Sequence, residues 1–259
     1  MINRYASLRQ GLVGAWCPSL GASVFRLIDR SGNNNHGTLT NMDPGTDWVP
    51  SGGKLALDFD GSNDYVDIPD SPSLNPTKQI TICCWYYSRG LPSSTTPFTY
   101  CLLGKTTSVV AEPYPAFDIR GSSTSTLELA IAIGTQFKTV SLGTITQNTW
   151  TFIAATYNGA VLAGYRNGVL VQSSSQSGDI GTTTNPLRLG DNPGFSPRFY
   201  NGQLDDIRIY NRALTPSEIR LLYTGGRGVG LMPERIKHRR KTTAAATNRR
   251  RRIICGANC

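Results

Sequence analysis

The chain has 259 residues, with 26 lysines and arginines against 17 acids and a formal charge of +9. Its 27 glycines, 15 prolines and 39% apolar content suit a turn-rich domain in water, and no window approaches the roughly 18 uninterrupted apolar residues of a membrane helix, which excludes a helical span. Two histidines and the absence of any Cys-x-x-Cys pair argue against a zinc site of ordinary spacing.

The first ten residues read as an arm with neither an apolar h-region nor a small-residue cleavage site, so synthesis in a reducing cytoplasm without a signal peptide is expected. Short apolar runs at 12–16, 24–28, 55–59, 65–68, 80–87 and 127–133, punctuated by Gly, Pro, Asn and Ser, predict strands. Residues 88–97 and 106–115 read as longer polar loops containing proline. Residues 151–173 form a meander whose Asn158-Gly159 and Asn167-Gly168 pairs predict two type I′ turns, because both residue types accept positive φ. Two such turns nine residues apart leave little room for helix. Further strands are expected at 186–189 and 204–210. Thr215-Pro216-Ser217-Glu218 is then a capping box with proline at the first helical position, opening a short helix that stops at Gly225-Gly226. The expected fold is all-β, a two-sheet antiparallel sandwich over residues 11–226 with one short C-terminal helix, followed by a basic tail over 227–259.

Charge is concentrated in that tail. From Gly228 onward nine lysines and arginines stand against one acid, Glu234, a net +8 that leaves the body at +1. The clusters Arg239, Arg240, Lys241 and Arg249, Arg250, Arg251, Arg252 suit a partner rich in phosphate or carboxylate, and the lack of aromatics between them disfavours base stacking. Among the six cysteines, Cys83 and Cys84 are adjacent in a strand and so point to opposite faces. Free thiols are expected, with a Cys255 to Cys259 or intersubunit bridge left open.

Four segments, GLVGAW, DRSGNNNHGTL, LDFDGSNDYVDI and GQLDDIRIYNRALTPSEI, occur in an order that resembles the laminin-G-like jelly-roll domains of the concanavalin A-like lectin and glucanase superfamily. The resemblance covers residues 11–226 and implies two curved sheets packed face to face. It also implies a structural calcium at Asp29, Asn33 and Asp206, the alternative being that these side chains only cap turns. Asp58, Asp60, Asp64 and Asp67 form a second acidic cluster, read as a solvated turn or as a metal or glycan contact. Glucanases on this fold set paired carboxylates on one strand face in a Glu-x-Asp-x-x-Glu or similar pattern. That pattern is missing, and Glu112, Glu128 and Glu218 stand apart, so no enzyme is expected.

Glycan binding requires only aromatic faces and hydrogen-bonding side chains. Tyr100, Tyr114, Phe195, Phe199 and Tyr200, with Trp48 in addition, are the candidates placed in loops, whereas Trp16, Trp85 and Trp150 are expected in the core. By analogy, a jelly-roll module with an anchoring tail is similar to accessory proteins of tailed-bacteriophage particles. That implies a virion surface protein, decoration or fibre-associated, homo-oligomeric within an assembly, docked through its tail on capsid, portal or fibre protein and able to meet cell-surface glycan. The alternative is a carbohydrate-binding or adhesion module of a cellular protein.

Overall fold

The computed structural model describes residues 5–21, 23–90, 100–107, 116–122 and 125–231. In chain order these hold β1 (Leu12–Trp16), β2 (Arg26–Leu27), β3 (Gly37–Thr40), β4 (Trp48–Ser51), β5 (Lys54–Asp60), β6 (Tyr65–Ile68), β7 (Ile80–Ser88), β8 (Cys101–Thr106), β9 (Ala116–Gly121), β10 (Thr126–Ile133), β11 (Gln136–Thr144), β12 (Thr151–Tyr157), β13 (Val161–Arg166), β14 (Val169–Ser175), β15 (Leu187–Leu189), β16 (Asn201–Tyr210) and the helix α1 (Pro216–Gly225). The strands make two antiparallel sheets. Sheet A runs β14-β13-β12-β7-β16-β5-β4 with β1 added beside β16, and sheet B runs β11-β10-β9-β8-β15-β6-β3-β2. This is the jelly-roll sandwich expected from the sequence.

Strand alternation places one row of each sheet inside. Across sheet B, Leu39, Val66, Leu189, Leu103, Ile119, Leu129 and Val140 are successive register partners, and all belong to the main core. Sheet A presents Ile82, Cys84, Tyr86, Ile153, Leu204 and Ile209 to the same core. Burying aliphatic side chains of this kind stabilises by about 2 kcal/mol each.

The outer face of sheet A is covered as well. Cys83, Phe152, Ala154, Tyr165 and Tyr210 pack with Ile219 and Leu222 of α1, and with Leu8, Val229 and Leu231 from the flanking segments. Cys83 and Cys84 therefore do face opposite layers. The described cysteines, Cys17, Cys83, Cys84 and Cys101, are free and buried, and burial pushes the Cys83 thiol up to about 12. The folded unit also reaches past both expected limits. The arm contributes buried Leu8, and the chain beyond Gly226 packs through buried Arg227, Val229 and Leu231 before any tail begins.

The capping box forms as expected, with the Thr215 side chain accepting from the Glu218 N–H and the Glu218 carboxylate accepting from the Thr215 N–H. The Arg212 guanidinium grips Glu218 through both oxygens at 2.8 and 2.9 Å and holds its carboxyl at about 2, below the usual range. Of the two Asn-Gly turns only Asn167-Gly168 takes positive φ at both residues, 50° and 77°. At Asn158 a three-residue connection forms instead, because the Asn158 carboxamide oxygen accepts from the Ala160 and Val161 N–H groups and leaves Gly159 alone at positive φ.

Other expectations change. The strand at 24–28 shrinks to Arg26–Leu27, with Val24 and Phe25 exposed. Trp16 is a core residue, but Trp85 lies partly buried beneath α1 against Phe152 and Tyr223. Trp150 is half-buried, with the Arg227 guanidinium 4.3 Å from its ring centroid and its Nε1 donating to Ser51 Oγ.

Candidate functional site

With α1 and its flanking segments over sheet A, the polar face of the sandwich is the outer face of sheet B. Here Thr38, Asp67, Arg188, Gly104, Asp118, Ala130 and Thr139 are successive register partners, so charged side chains from β6, β15 and β9 share one row. Arg120 and Glu128, paired in the next row, extend it toward β10.

The segment after β15 folds down over this row. Asp191 accepts from the Arg198 N–H at 3.0 Å and forms an ion pair with Arg188 at 3.1 Å. Asn192 donates to Asp118 Oδ2 at 2.8 Å and accepts from the Gly194 N–H at 3.0 Å and from Thr106 Oγ1. Gly104 makes this possible, because a Cβ there would sit 3.2 Å from both Asn192 Nδ2 and Cys101 Sγ. The Cys101 N–H donates to the Arg198 carbonyl at 2.9 Å and closes the cover.

Three guanidinium groups on this face lie over aromatic rings. Arg188 is 4.3 Å from the Tyr65 centroid, Arg198 is 4.8 Å from Phe195, and Arg120 is 5.1 Å from Phe137. Arg120 also meets Glu128 at 3.0 Å and Asp118 at 3.7 Å, while Arg188 meets Asp67 at 3.0 Å. Half-buried aromatic faces beside fixed donors and acceptors are what a hydroxylated ring requires.

Asp118 is fully buried, and burial raises its pKa to about 6 against the opposing pull of Arg120 and Arg198. Asp64 and Asp205 are likewise raised by burial to about 6. A carboxyl with a higher pKa in the folded than in the unfolded chain binds its proton more tightly when folded, so its contribution is greatest below about pH 4 and is lost as pH rises through 6. Glu218 has the opposite sign and loses its contribution as pH falls below about 4.5. The melting temperature is therefore expected to peak near pH 4 and fall by pH 7.5. Asp118→Asn should flatten that fall and raise stability at pH 7.5 by about 2 kcal/mol, read from urea unfolding at the two pH values.

The sequence-derived candidates divide. Phe195 and Phe199 lie half-buried in the covering segment. Tyr100 and Tyr200 do not reach the surface: they enter β8 and β16 facing inward, where the Tyr200 ring packs against Tyr100 at 5.4 Å and Phe59 at 6.2 Å. Trp48 is buried in β4 rather than placed in a loop. Tyr114 and the tail residues Arg239, Arg240, Lys241, Arg249, Arg250, Arg251 and Arg252 lie outside the described residues.

The three side chains of the expected calcium set are each engaged by protein groups. The Asp29 carboxylate accepts from the N–H groups of Ala15, Ser31 and Asn35 and from Ser31 Oγ. Asn33 donates its carboxamide to the Leu12 carbonyl and Ser31 Oγ. Asp206 is gripped by Arg208 through both oxygens at 2.7 and 2.9 Å. No cluster of three His, Cys, Asp or Glu able to hold a metal occurs among the described residues. The second acidic cluster also disperses: Asp60 and Asp64 cap their own turn, Asp58 pairs with Arg89, and Asp67 joins the sheet B row.

Comparison with known proteins agrees with this architecture. The family model Laminin_G_3, described as concanavalin A-like lectin/glucanases superfamily, matches residues 60–220, well over half of the chain. No curated protein matches it in sequence. Among solved structures, the binding domain of Paraclostridial Mosquitocidal Protein 1 aligns with TM-score 0.64 and 18% identity over 83% of this chain and 52% of that domain. The botulinum neurotoxin serotype D binding domain aligns with TM-score 0.63 and 15% identity over 85% and 52%. Domain 4 of AbnA, a GH43 extracellular arabinanase from Geobacillus stearothermophilus solved in complex with arabinotriose, aligns with TM-score 0.56 and 21% identity over 81% and 96%. The chain thus spans about half of the toxin binding domains and nearly all of the arabinanase domain. The match over β6 to β16, together with the two-sheet sandwich, places the chain in the concanavalin A-like lectin/glucanases superfamily.

Proposed function

We propose that this chain is a non-enzymatic glycan-binding module whose ligand lies on the outer face of sheet B. The observation that carries the reading is the set of three guanidinium and aromatic pairs, Arg120 with Phe137, Arg188 with Tyr65 and Arg198 with Phe195, interleaved with carboxylates on one face. Aromatic rings supply stacking and the charged groups supply oriented hydrogen bonds, without a nucleophile paired to a base. The arabinotriose complex of the arabinanase domain supports the reading by analogy of fold. Phe137→Ala is expected to weaken oligosaccharide binding about tenfold while leaving the melting temperature within a few degrees, measured by calorimetry with arabinotriose and a panel of other oligosaccharides. Unchanged affinity for every bound sugar would remove the face from the binding site.

The basic tail gives the module its place. Arg227, Val229 and Leu231 are fastened on the outer face of sheet A, opposite the proposed glycan face. A tail rooted there can dock on a larger particle while the half-buried Tyr65, Phe137 and Phe195 lie on the opposite sheet, an arrangement compatible with display on a virion of the tailed-phage kind through capsid, portal or fibre protein. A chain ended after Leu231 should stop co-sedimenting with particles yet keep its oligosaccharide affinity. Retained co-sedimentation would locate the anchor in the sandwich instead.

A further inference from the structure

The proposed glycan face is saturated with its own counter-charges. Arg120 is engaged by Glu128 and Asp118, and Arg188 by Asp67 and Asp191. With Arg198 these cations face four carboxylates. Asp118 keeps one oxygen, Oδ1, without a hydrogen-bond partner among the described residues, although the residue is completely buried. The next cation in the row, Arg26, sits at the sheet edge on β2, three strands from Arg188 and so about 14 Å away.

A sugar carboxylate arriving here would displace Glu128 or Asp67 from a guanidinium and stand beside the remaining carboxylates, where like charges in a partly desolvated site repel. A neutral sugar does neither. Its hydroxyl groups donate to carboxylate oxygens, accept from guanidinium edges already fixed in place, and leave the ring face for Phe137 or Phe195. We propose that the outer face of sheet B selects neutral oligosaccharides over those carrying carboxylates, such as sialylated or uronic-acid sugars. The inference rests on the glycan-binding reading above.

The experiment uses the full chain and matched pairs: a trisaccharide with and without a terminal sialic acid, a galactose and a galacturonic-acid trimer, and arabinotriose. Because the tail carries a net +8 and attracts any anion, affinity is assigned to the face only where Phe137→Ala removes it, at both 150 and 500 mM salt, between which the Debye length falls from about 8 to about 4 Å. At least one neutral member should bind tenfold or more tightly than its acidic partner. Glu128→Gln, which removes the nearer of the two carboxylates that engage Arg120, should raise the acidic-to-neutral affinity ratio about tenfold. Equal or tighter Phe137-dependent binding of the acidic members, or a ratio unmoved by Glu128→Gln, would overturn the selectivity while leaving the site. Absence of Phe137-dependent binding for every sugar would overturn the glycan reading and the selectivity with it.

Discussion

Asp29→Ala is expected to destabilise the fold by about 4 kcal/mol. Asp29 is 5% exposed, and its two oxygens accept four hydrogen bonds: from the Ala15 N–H at 2.9 Å, the Ser31 N–H at 2.8 Å, the Asn35 N–H at 3.0 Å and Ser31 Oγ at 2.7 Å. Ala15 belongs to β1 of sheet A, while Asn35 lies just before β3 of sheet B, so one carboxylate staples the two sheets together at this end. Asn35 extends the staple by accepting from Trp16 Nε1 and donating to the Val13 carbonyl and Ser73 Oγ. Removing the carboxylate strands buried N–H donors, each at a cost of about 1–3 kcal/mol, reduced at Ser31 where water can enter. Asp29→Asn keeps the volume and one acceptor oxygen, and about half of the loss is expected. Urea unfolding should show a lower midpoint with an unchanged slope. Because protein N–H groups already fill the carboxylate, EDTA and added calcium should leave the melting temperature where it was, and a chelator-sensitive transition would restore the cation reading of this loop.

The same loop explains why the fold was so legible from sequence and the site much less so. Thr215 and Glu218 act through bonds to near neighbours, as Asp29 does at Ser31 and Asn35, and local action leaves a local pattern. The exposed or one-sided strands, such as β6, likewise show their alternation. β8 and β9 do not, because every residue of CLLGKT and AFDIRG is buried, on both faces. Without a solvent-facing row the period-2 signal vanishes, and Lys105, Asp118 and Arg120 look like loop residues. The site depends on pairing among strands centred near residues 67, 104, 118, 130 and 188, a juxtaposition that no short motif encodes. One signal was present: FDIRG sets two charges, and LELAI and LRL one each, among apolar residues at strand spacing, and a charge buried in that way requires a partner. The misplaced aromatics have the reverse cause. Tyr100 and Tyr200 stand beside turn-rich stretches in sequence, yet each is the first inward-facing residue at the mouth of a strand.

Asp206→Asn should cost about 3–5 kcal/mol, and the reason lies in how β16 changes partners. Its first half, through Leu204, pairs with β5, and its second half, from Ile207, pairs with β1. The change occurs at Asp205 and Asp206, where the register against β7 is interrupted and Asp206 takes a φ of 50°. Asn tolerates that left-handed conformation, so the substitution isolates the charge. Asp206 and Arg208 are 3% and 1% exposed, and the carboxylate's charge raises the Arg208 pKa despite the burial that lowers it. Taking the negative charge away leaves a buried guanidinium unneutralised, which is far more costly than never having had the pair. The double variant Asp206→Asn with Arg208→Met should accordingly lose less than the two single substitutions combined, a coupling that a double-mutant cycle measures directly. Distance carries the consequence to the tail. Asp206 Oδ2 accepts from the Gly228 N–H at 2.8 Å, and Arg208 Nη2 donates to the Val229 carbonyl at 2.6 Å, so the same pair fixes the segment from which the basic tail departs. Asp206→Asn should therefore speed tryptic cleavage after Arg227 under native conditions, before global unfolding, because local opening of a segment follows its own stability. Cleavage no faster than in the unaltered chain would mean that Leu231 and the Arg227 contact with Trp150 hold the root of the tail without help from the ion pair.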